Sequence, residues 1–157
     1  MQASVLPAAI YAGSFDPPHL GHLDLIERAA ALVPRLVVAV AVNPDKPGAW
    51  TPARRIEVLA ACCAHLSTVE IVAVAGALAP FARARGIHLL IRGLRGPADW
   101  DGEAPMAWIN SQHGCETLFL AGRPEHALLS SRAVRAARAA GLPVDGLVPP
   151  AVAAALT

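Results

Sequence analysis

Short apolar runs alternate along this chain with longer stretches in which apolar residues recur every three or four positions. Val5 to Tyr11, interrupted by Pro7, reads as a buried strand. A tight turn follows at Gly13-Ser14-Phe15-Asp16-Pro17-Pro18, and Leu23, Ile26 and Ala30 then mark one face of a helix running from about Gly21 to Leu32. The run RLVVAVAV, Arg35 to Val42, has the continuous apolar character of a parallel strand covered on both faces. Asn43 to Gly48 is a loop by composition. Thr51 before Pro52 has the form of an N-cap with proline at the first helical position, and that helix runs to about Ala64.

Val69 to Val74 reads as a third strand. A short helix follows from Leu78 to Arg85, closed by Gly86. His88 to Ile91 is a fourth strand, leading into Arg92-Gly93-Leu94-Arg95, and Gly96-Pro97 breaks the chain. The next helix is expected over Glu103 to Ser111, with Pro105 tolerated only in its first turn. Thr117 to Ala121 is a fifth strand, Ser130 to Ala140 a helix ended by Gly141, and a short helix follows Pro149-Pro150. This alternation predicts an α/β fold, a Rossmann-like doubly wound five-stranded parallel sheet, as one domain over residues 1–157.

Composition narrows the classes. A chain of 157 residues with 55% apolar and 16% charged residues suits one sizeable core rather than a disordered chain. A net charge of +1 gives no reason to expect nucleic acid or an anionic membrane as partner. No apolar run reaches the roughly 18 residues of a membrane span, and the opening MQASVLPAAIYAG lacks the basic start of a signal peptide. The cysteines, Cys62, Cys63 and Cys115, are odd in number and form no C-x-x-C, which argues against a disulfide framework or zinc site and for reduced thiols in the cytoplasm.

Ligands of such sheets bind beyond the carboxyl ends of the strands, at a switch in strand order. Ser14 and His22 follow the first strand, Lys46 the second, Arg92 and Arg95 the fourth, and Ser130 and Ser131 lie beyond the fifth. Strand, glycine turn and helix start together suit phosphate, because first-turn N–H groups lack helical partners and carry partial positive charge. Gly21 permits close approach of a ligand to the backbone. Neither G-x-G-x-x-G nor G-x-x-x-x-G-K-[ST] is present here. Asp16, followed by two prolines, is read as fixing the turn. His19 and His22 at i, i+3 lack a third ligand that would make them a zinc site.

Gly13 to His22 resembles the GxFDPxHxGH signature of the HxGH nucleotidyltransferase superfamily. Later segments narrow the resemblance to the bacterial phosphopantetheine adenylyltransferases. Ile91-Arg92-Gly93-Leu94-Arg95 is similar to their IRGLR segment, and Asn43 to Pro47 to their xPxKxP loop. Ala98 to Glu103 resembles their ADFEYE stretch, Met106 to Asn110 the helix after it, Leu129 to Arg135 their ISSxxVR motif, and Leu147-Val148-Pro149 their VP turn. The resemblance spans nearly the whole chain, with a small apparent deletion between Asn110 and Leu118.

The resemblance implies transfer of the adenylyl group of ATP to 4′-phosphopantetheine, with Mg²⁺, in a cytoplasmic homohexamer. The nucleophile is an anionic phosphate, so the reaction needs alignment and charge neutralisation more than a strong base. By carry-over His22 is the catalytic residue at the α-phosphate. The ATP-binding positions are Ser14, Phe15, His19, His22, Gly93, Leu94, Arg95, Glu103, His126, Ser130, Ser131 and Arg132. Among these, His19 is placed at the β- or γ-phosphate, Glu103 at the ribose and His126 near adenine. The acceptor positions are Ser14, Lys46, Leu78 and Arg92, and no side chain is assigned to the metal. Several positions depart from the pattern. His19 stands where threonine is usual, Arg132 where a small hydroxyl residue is, Gly102 where an aromatic residue is, and Ala136 where an acid is common; Pro105 enters the helix beside the nucleotide site. Two other readings therefore stay open: a nicotinate-mononucleotide-type adenylyltransferase, and a non-catalytic paralogue that binds a nucleotide or coenzyme A.

Overall fold

In the computed structural model, which describes residues 7–157, strands and helices alternate along the chain. The elements are β1 (Ala9–Gly13), α1 (Leu20–Ala30), β2 (Leu36–Val42), α2 (Pro52–Cys62), β3 (Val69–Ala75) and α3 (Leu78–Ala84). They continue with β4 (Leu89–Leu94), α4 (Pro97–Gln112), β5 (Glu116–Ala121), a 3₁₀ turn (Pro124–His126), α5 (Ser131–Ala139) and α6 (Pro150–Leu156). The strands form one sheet in the order β3-β2-β1-β4-β5, with every pairing parallel. Because β1 is central and the chain leaves it in opposite directions, strand order reverses between β1 and β4. A crevice opens there at the carboxyl ends.

Period-two alternation divides the strand side chains between two apolar layers. Tyr11, Leu36, Val38, Val40, Leu89 and Ile91 join residues of α1, α2, α5 and α6 in the larger one. Ile10, Val37, Ala39 and Leu90 join Ala79 and Ala82 of α3 and the buried Cys115 in the other. This two-sided burial is why β1, β2 and β4 read as continuous apolar runs. Cys62 and Cys63 are also buried, and all three thiols are unpaired. The expected capping by Thr51 is present: its hydroxyl accepts from Arg54 N–H, with Pro52 opening α2.

Three boundaries differ from expectation. Val5 and Leu6 lie outside the described residues, and β1 runs on to Gly13. β4 continues through Arg92, Gly93 and Leu94, because these pair with β5 at Phe119, Leu120 and Ala121. The helix expected from Glu103 starts at Pro97. Gly96-Pro97 is a helix start rather than a break, with proline at the first position where its missing N–H costs nothing. Glu103 is therefore mid-helix, and Pro105 sits in the interior. That is tolerated on a helix with no buried residue, where Asp101, whose carbonyl loses its helical partner, is itself exposed.

Gly93 brings α1 close to β4: a Cβ built there lies 2.3 Å from Leu25 Cδ1. Gly93→Ala is expected to force Leu25 off its site and to cost about 1–3 kcal/mol, the usual range for overpacking. Urea unfolding of the two proteins measures this, and an unchanged midpoint would show that α1 adjusts freely.

Candidate active site

The site is built on the turn between β1 and α1. Phe15 adopts a left-handed conformation (φ 49°), unusual for a side chain of this size. Its buried ring packs against Tyr11 and the ring of His22, with centroids 5.8 and 4.9 Å away. Three carbonyls of the turn are taken by remote donors. Arg55 donates to Ser14 O at 2.8 Å and to Ala41 O at 3.0 Å, Arg135 donates to Asp16 O, and Ser131 Oγ donates to Pro17 O at 2.8 Å. The buried carboxylate of Asp16 accepts from Ala49 N–H (2.7 Å) and Trp50 N–H (2.9 Å) and so anchors the loop that carries Lys46. Asp16 thus fixes the turn, as the sequence reading holds, and also clamps a second loop to it.

At the start of α1, His19 and His22 cap each other. His22 N–H donates to His19 Nδ1 and His19 N–H to His22 Nδ1, both at 3.3 Å, and the rings stack with centroids 3.6 Å apart. Gly21 serves this stack, since a Cβ there would lie 3.1 Å from the His19 ring. An Nδ1 that accepts a hydrogen bond leaves the proton on Nε2, so both rings are neutral N–H donors. Burial, then the charges of Arg95 and His126, holds His19 down to about 4. Burial, then His19, Arg95 and Arg92, holds His22 well below the usual imidazole range. The first-turn N–H groups lack helical partners as expected, but most are taken from outside the helix or by the cap. Leu20 N–H binds Leu147 O and His22 N–H binds His19, leaving Gly21 N–H as the first-turn donor without a partner among the described residues.

The opposite wall comes from β4 and α4. Arg92 meets Glu103 through two parallel bonds of 2.6 and 2.7 Å and also donates to Ala12 O. Burial opposes the charge of Arg92, but the Glu103 carboxylate outweighs burial and raises its pKa. Arg95 forks onto Asp99 (3.0 Å through both Nε and a terminal nitrogen) and donates to Leu129 O at 3.0 Å. Glu103 reaches Arg92 only from the middle of α4, so its position is set by the ion pair and not by a helix N-terminus. The third wall is the segment after β5. Ser130 Oγ caps α5 by accepting from Ala133 N–H at 3.1 Å.

Two cavities open on this framework. The first is lined by Ser14, His19, His22, Arg92, Gly93, Arg95, Glu103, His126, Ser130 and Ser131, and so unites ten of the sequence-derived positions. The second runs beside α3 and α4 and is lined by Leu78, Met106, Ile109, Asn110 and Thr117 among others. Ala12, Arg92 and Glu103 line both. Lys46 is exposed and lines neither; Phe15, Leu94 and Arg132 are also absent from both linings. Tyr11, Asp99, Gly122 and Arg123 line the first cavity although sequence reading did not single them out. Asp99 lies in the first turn of α4 and reaches back to the side chain and backbone N–H of Arg95, which precedes the helix, so no helical spacing signals the pair.

The model of the cytidylyltransferase-like family matches residues 10–137. A phosphopantetheine adenylyltransferase of Synechococcus sp. (strain JA-3-3Ab) is 44% identical over 147 residues, covering 92% of each chain. One from Symbiobacterium thermophilum is 44% identical over 144 residues, covering 90% of this chain and 89% of its own. The chain belongs to the phosphopantetheine adenylyltransferase family. A provisionally assigned nicotinate-nucleotide adenylyltransferase from Vibrio parahaemolyticus shares the fold, with a TM-score of 0.68 at 18% identity over 96% of this chain and 97% of that one. Within this adenylyltransferase, Asp99 and Glu103 are each engaged by an arginine. No group of three or more His, Cys, Asp or Glu among the described residues is placed to hold a metal ion.

The neutral histidine pair makes stability depend on acid. The unfolded chain takes up protons on these imidazoles below about pH 6.5, whereas folded His19 does so only near 4. The contribution is therefore complete above about pH 6.5 and is lost as the pH falls toward 4. Urea midpoints should decline across that window, and His19→Asn, which caps without titrating, should flatten the decline. An equal slope in both proteins would assign the acid sensitivity elsewhere.

Proposed function

We propose that this chain transfers the adenylyl group of ATP to 4′-phosphopantetheine, forming dephospho-coenzyme A and pyrophosphate. The observation that carries this reading is the meeting of two dissimilar cavities at Arg92 and Glu103. The first is lined by the donors and cations that a nucleotide polyphosphate requires. The second, lined by Leu78, Met106 and Ile109 with Asn110 and Thr117, suits a long arm that is largely aliphatic and carries amides. An acceptor lying in the second cavity brings its phosphate to Arg92, a natural bidentate partner. The curated relatives at 44% identity support the same assignment. An apolar slot beside α4 fits a mononucleotide acceptor less well, although His19 keeps that alternative in view.

In the proposed reaction an oxygen of the acceptor phosphate attacks the α-phosphorus of ATP. The bond from that phosphorus to the bridging oxygen breaks, and pyrophosphate leaves with the electron pair. His22, held as the Nε2–H tautomer, donates to the α-phosphate as charge builds there. Ser14 and Arg92 hold the acceptor phosphate, and Lys46 joins them from its loop. His19, Gly93, Arg95, Ser130 and Ser131 hold the nucleotide phosphates, Glu103 the ribose, and His126 lies by the base. Phe15 and Leu94 are carried over as further nucleotide-binding positions, and Arg132 adds positive charge at the start of α5. Magnesium, implied by the family resemblance, would supply further neutralisation of phosphate charge when bound.

Assembly into a homohexamer is proposed from the family resemblance. It is supported by the apolar side chains that α4 leaves exposed, Trp100, Met106, Trp108 and Ile109. Three unpaired cysteines support a reducing, cytoplasmic setting, and among the described residues no helix is long and apolar enough to cross a membrane.

Purified protein should release pyrophosphate from ATP and Mg²⁺ with 4′-phosphopantetheine and not with nicotinate mononucleotide. His22→Ala should lower kcat by about 100-fold or more with ATP binding retained. Arg92→Ala should raise KM for the acceptor more than for ATP. Release with the mononucleotide alone would change the acceptor, and silence with both in protein that binds ATP would leave a non-catalytic binding protein.

A further inference from the structure

The three arginines that line the first cavity are not equally occupied. Arg92 and Arg95 each use Nε and both terminal nitrogens on protein acceptors, and each faces one carboxylate. Arg123 uses only Nε, which donates to Asp24 Oδ1 at 2.5 Å, and among the described residues its two terminal nitrogens have no partner. Asp24 also serves Arg28 at 3.1 Å, so one carboxylate answers two guanidinium groups, and Glu125 adds negative charge near Arg123 without a hydrogen bond to it.

The Asp24 side of the cluster is well fixed, while the Arg123 side chain is 54% exposed and open to a ligand. Asp24 lies two residues after His22 on α1, and Arg28 donates to Ala121 O at the end of β5 at 2.8 Å. The Asp24 side chain is only 14% exposed. Burial opposes its charge, but hydrogen bonds from Arg123 and Arg28 outweigh burial and hold the carboxyl below its ordinary range. Arg123 lines the first cavity and not the second, so it stands on the nucleotide side, away from the junction at Arg92.

We propose that Arg123, held in register by Asp24, binds the distal phosphates of the nucleotide and the pyrophosphate that they become. This inference rests on the adenylyl-transfer reading above. Two free guanidinium nitrogens match two phosphate oxygens, and Ser130, whose hydroxyl accepts from Ala133 N–H and keeps its own proton free, supplies a neutral donor on the same wall. Asp24 is a positioning residue: it touches no ligand and acts by aiming Arg123.

Calorimetric titrations with Mg²⁺ and a non-hydrolysable ATP analogue, pyrophosphate, or AMP test this on the intact protein. Arg123→Ala should weaken the analogue and pyrophosphate by about tenfold or more and leave AMP unchanged, since removing a charged hydrogen-bond partner costs at least that factor. Arg123→Lys should restore part of the loss. Asp24→Asn should raise KM for ATP and for pyrophosphate in the reverse direction while sparing KM for the acceptor, which a merely structural role would not do. Equal losses for AMP and the analogue would make Arg123 a base or ribose contact and overturn the assignment. So would an unchanged affinity in Arg123→Ala. Wild-type protein that binds neither the analogue nor pyrophosphate would instead overturn the adenylyl-transfer reading together with this one.

Discussion

The structure depends on how the turn from Ser14 to Pro17 is held. A backbone that places Phe15 in the left-handed region does not persist unless its surroundings determine it. Here three carbonyls of the turn are taken by donors far away in the sequence, from α2 and α5. The Asp16 carboxylate binds two further backbone N–H groups before α2. Arg55 is buried and faces carbonyl oxygens rather than a carboxylate, so its desolvation is offset only when the turn is in place. Turn, loop and helix starts therefore form together. The position of His22 is a consequence of that assembly more than of α1 alone.

A second consequence concerns charge. Without substrate, Arg92 at the junction of the cavities is balanced by Glu103 and Arg95 in the first cavity by Asp99, and both histidines are neutral. The wall is therefore ordered but not strongly positive. An incoming phosphate adds to a guanidinium already oriented by its carboxylate, and little side-chain freedom remains to be lost on binding. This arrangement favours pre-organised donors over raw charge, in keeping with a reaction whose nucleophile is already anionic.

Much of the fold is legible in the apolar runs because a parallel sheet buried on both faces has no other sequence pattern, and β2 shows this best. The limits lie where a local signal has two meanings. Gly96-Pro97 stops one element and starts another, and reading only the stop displaced α4 by six residues and put Glu103 at a helix start. In the site, short-range motifs identified His19, His22, Arg92, Arg95, Ser130 and Ser131, since strand ends and helix starts carry them. Arg123 and Asp24 were not legible. Their pairing spans 99 residues, and each alone is an ordinary surface charge. Lys46 shows the converse: sequence similarity selects it, while its exposed loop leaves it away from both cavities.

The reciprocal histidine cap links the helix start to the charge state of the site. A serine or threonine at the position of His19 would satisfy the helix start, but it would not place a second ring against His22. The stacked imidazole desolvates its neighbour, and the two rings cannot both be protonated 3.6 Å apart without strong repulsion. The cap thus fixes ring orientation, tautomer and charge state at once, through backbone N–H groups that α1 must satisfy in any case. Neutrality is no handicap to the proposed role. A donor that is neutral at rest adds no repulsion toward Arg92 and Arg95, and its single Nε2–H is aimed by the helix start rather than by a mobile counter-ion.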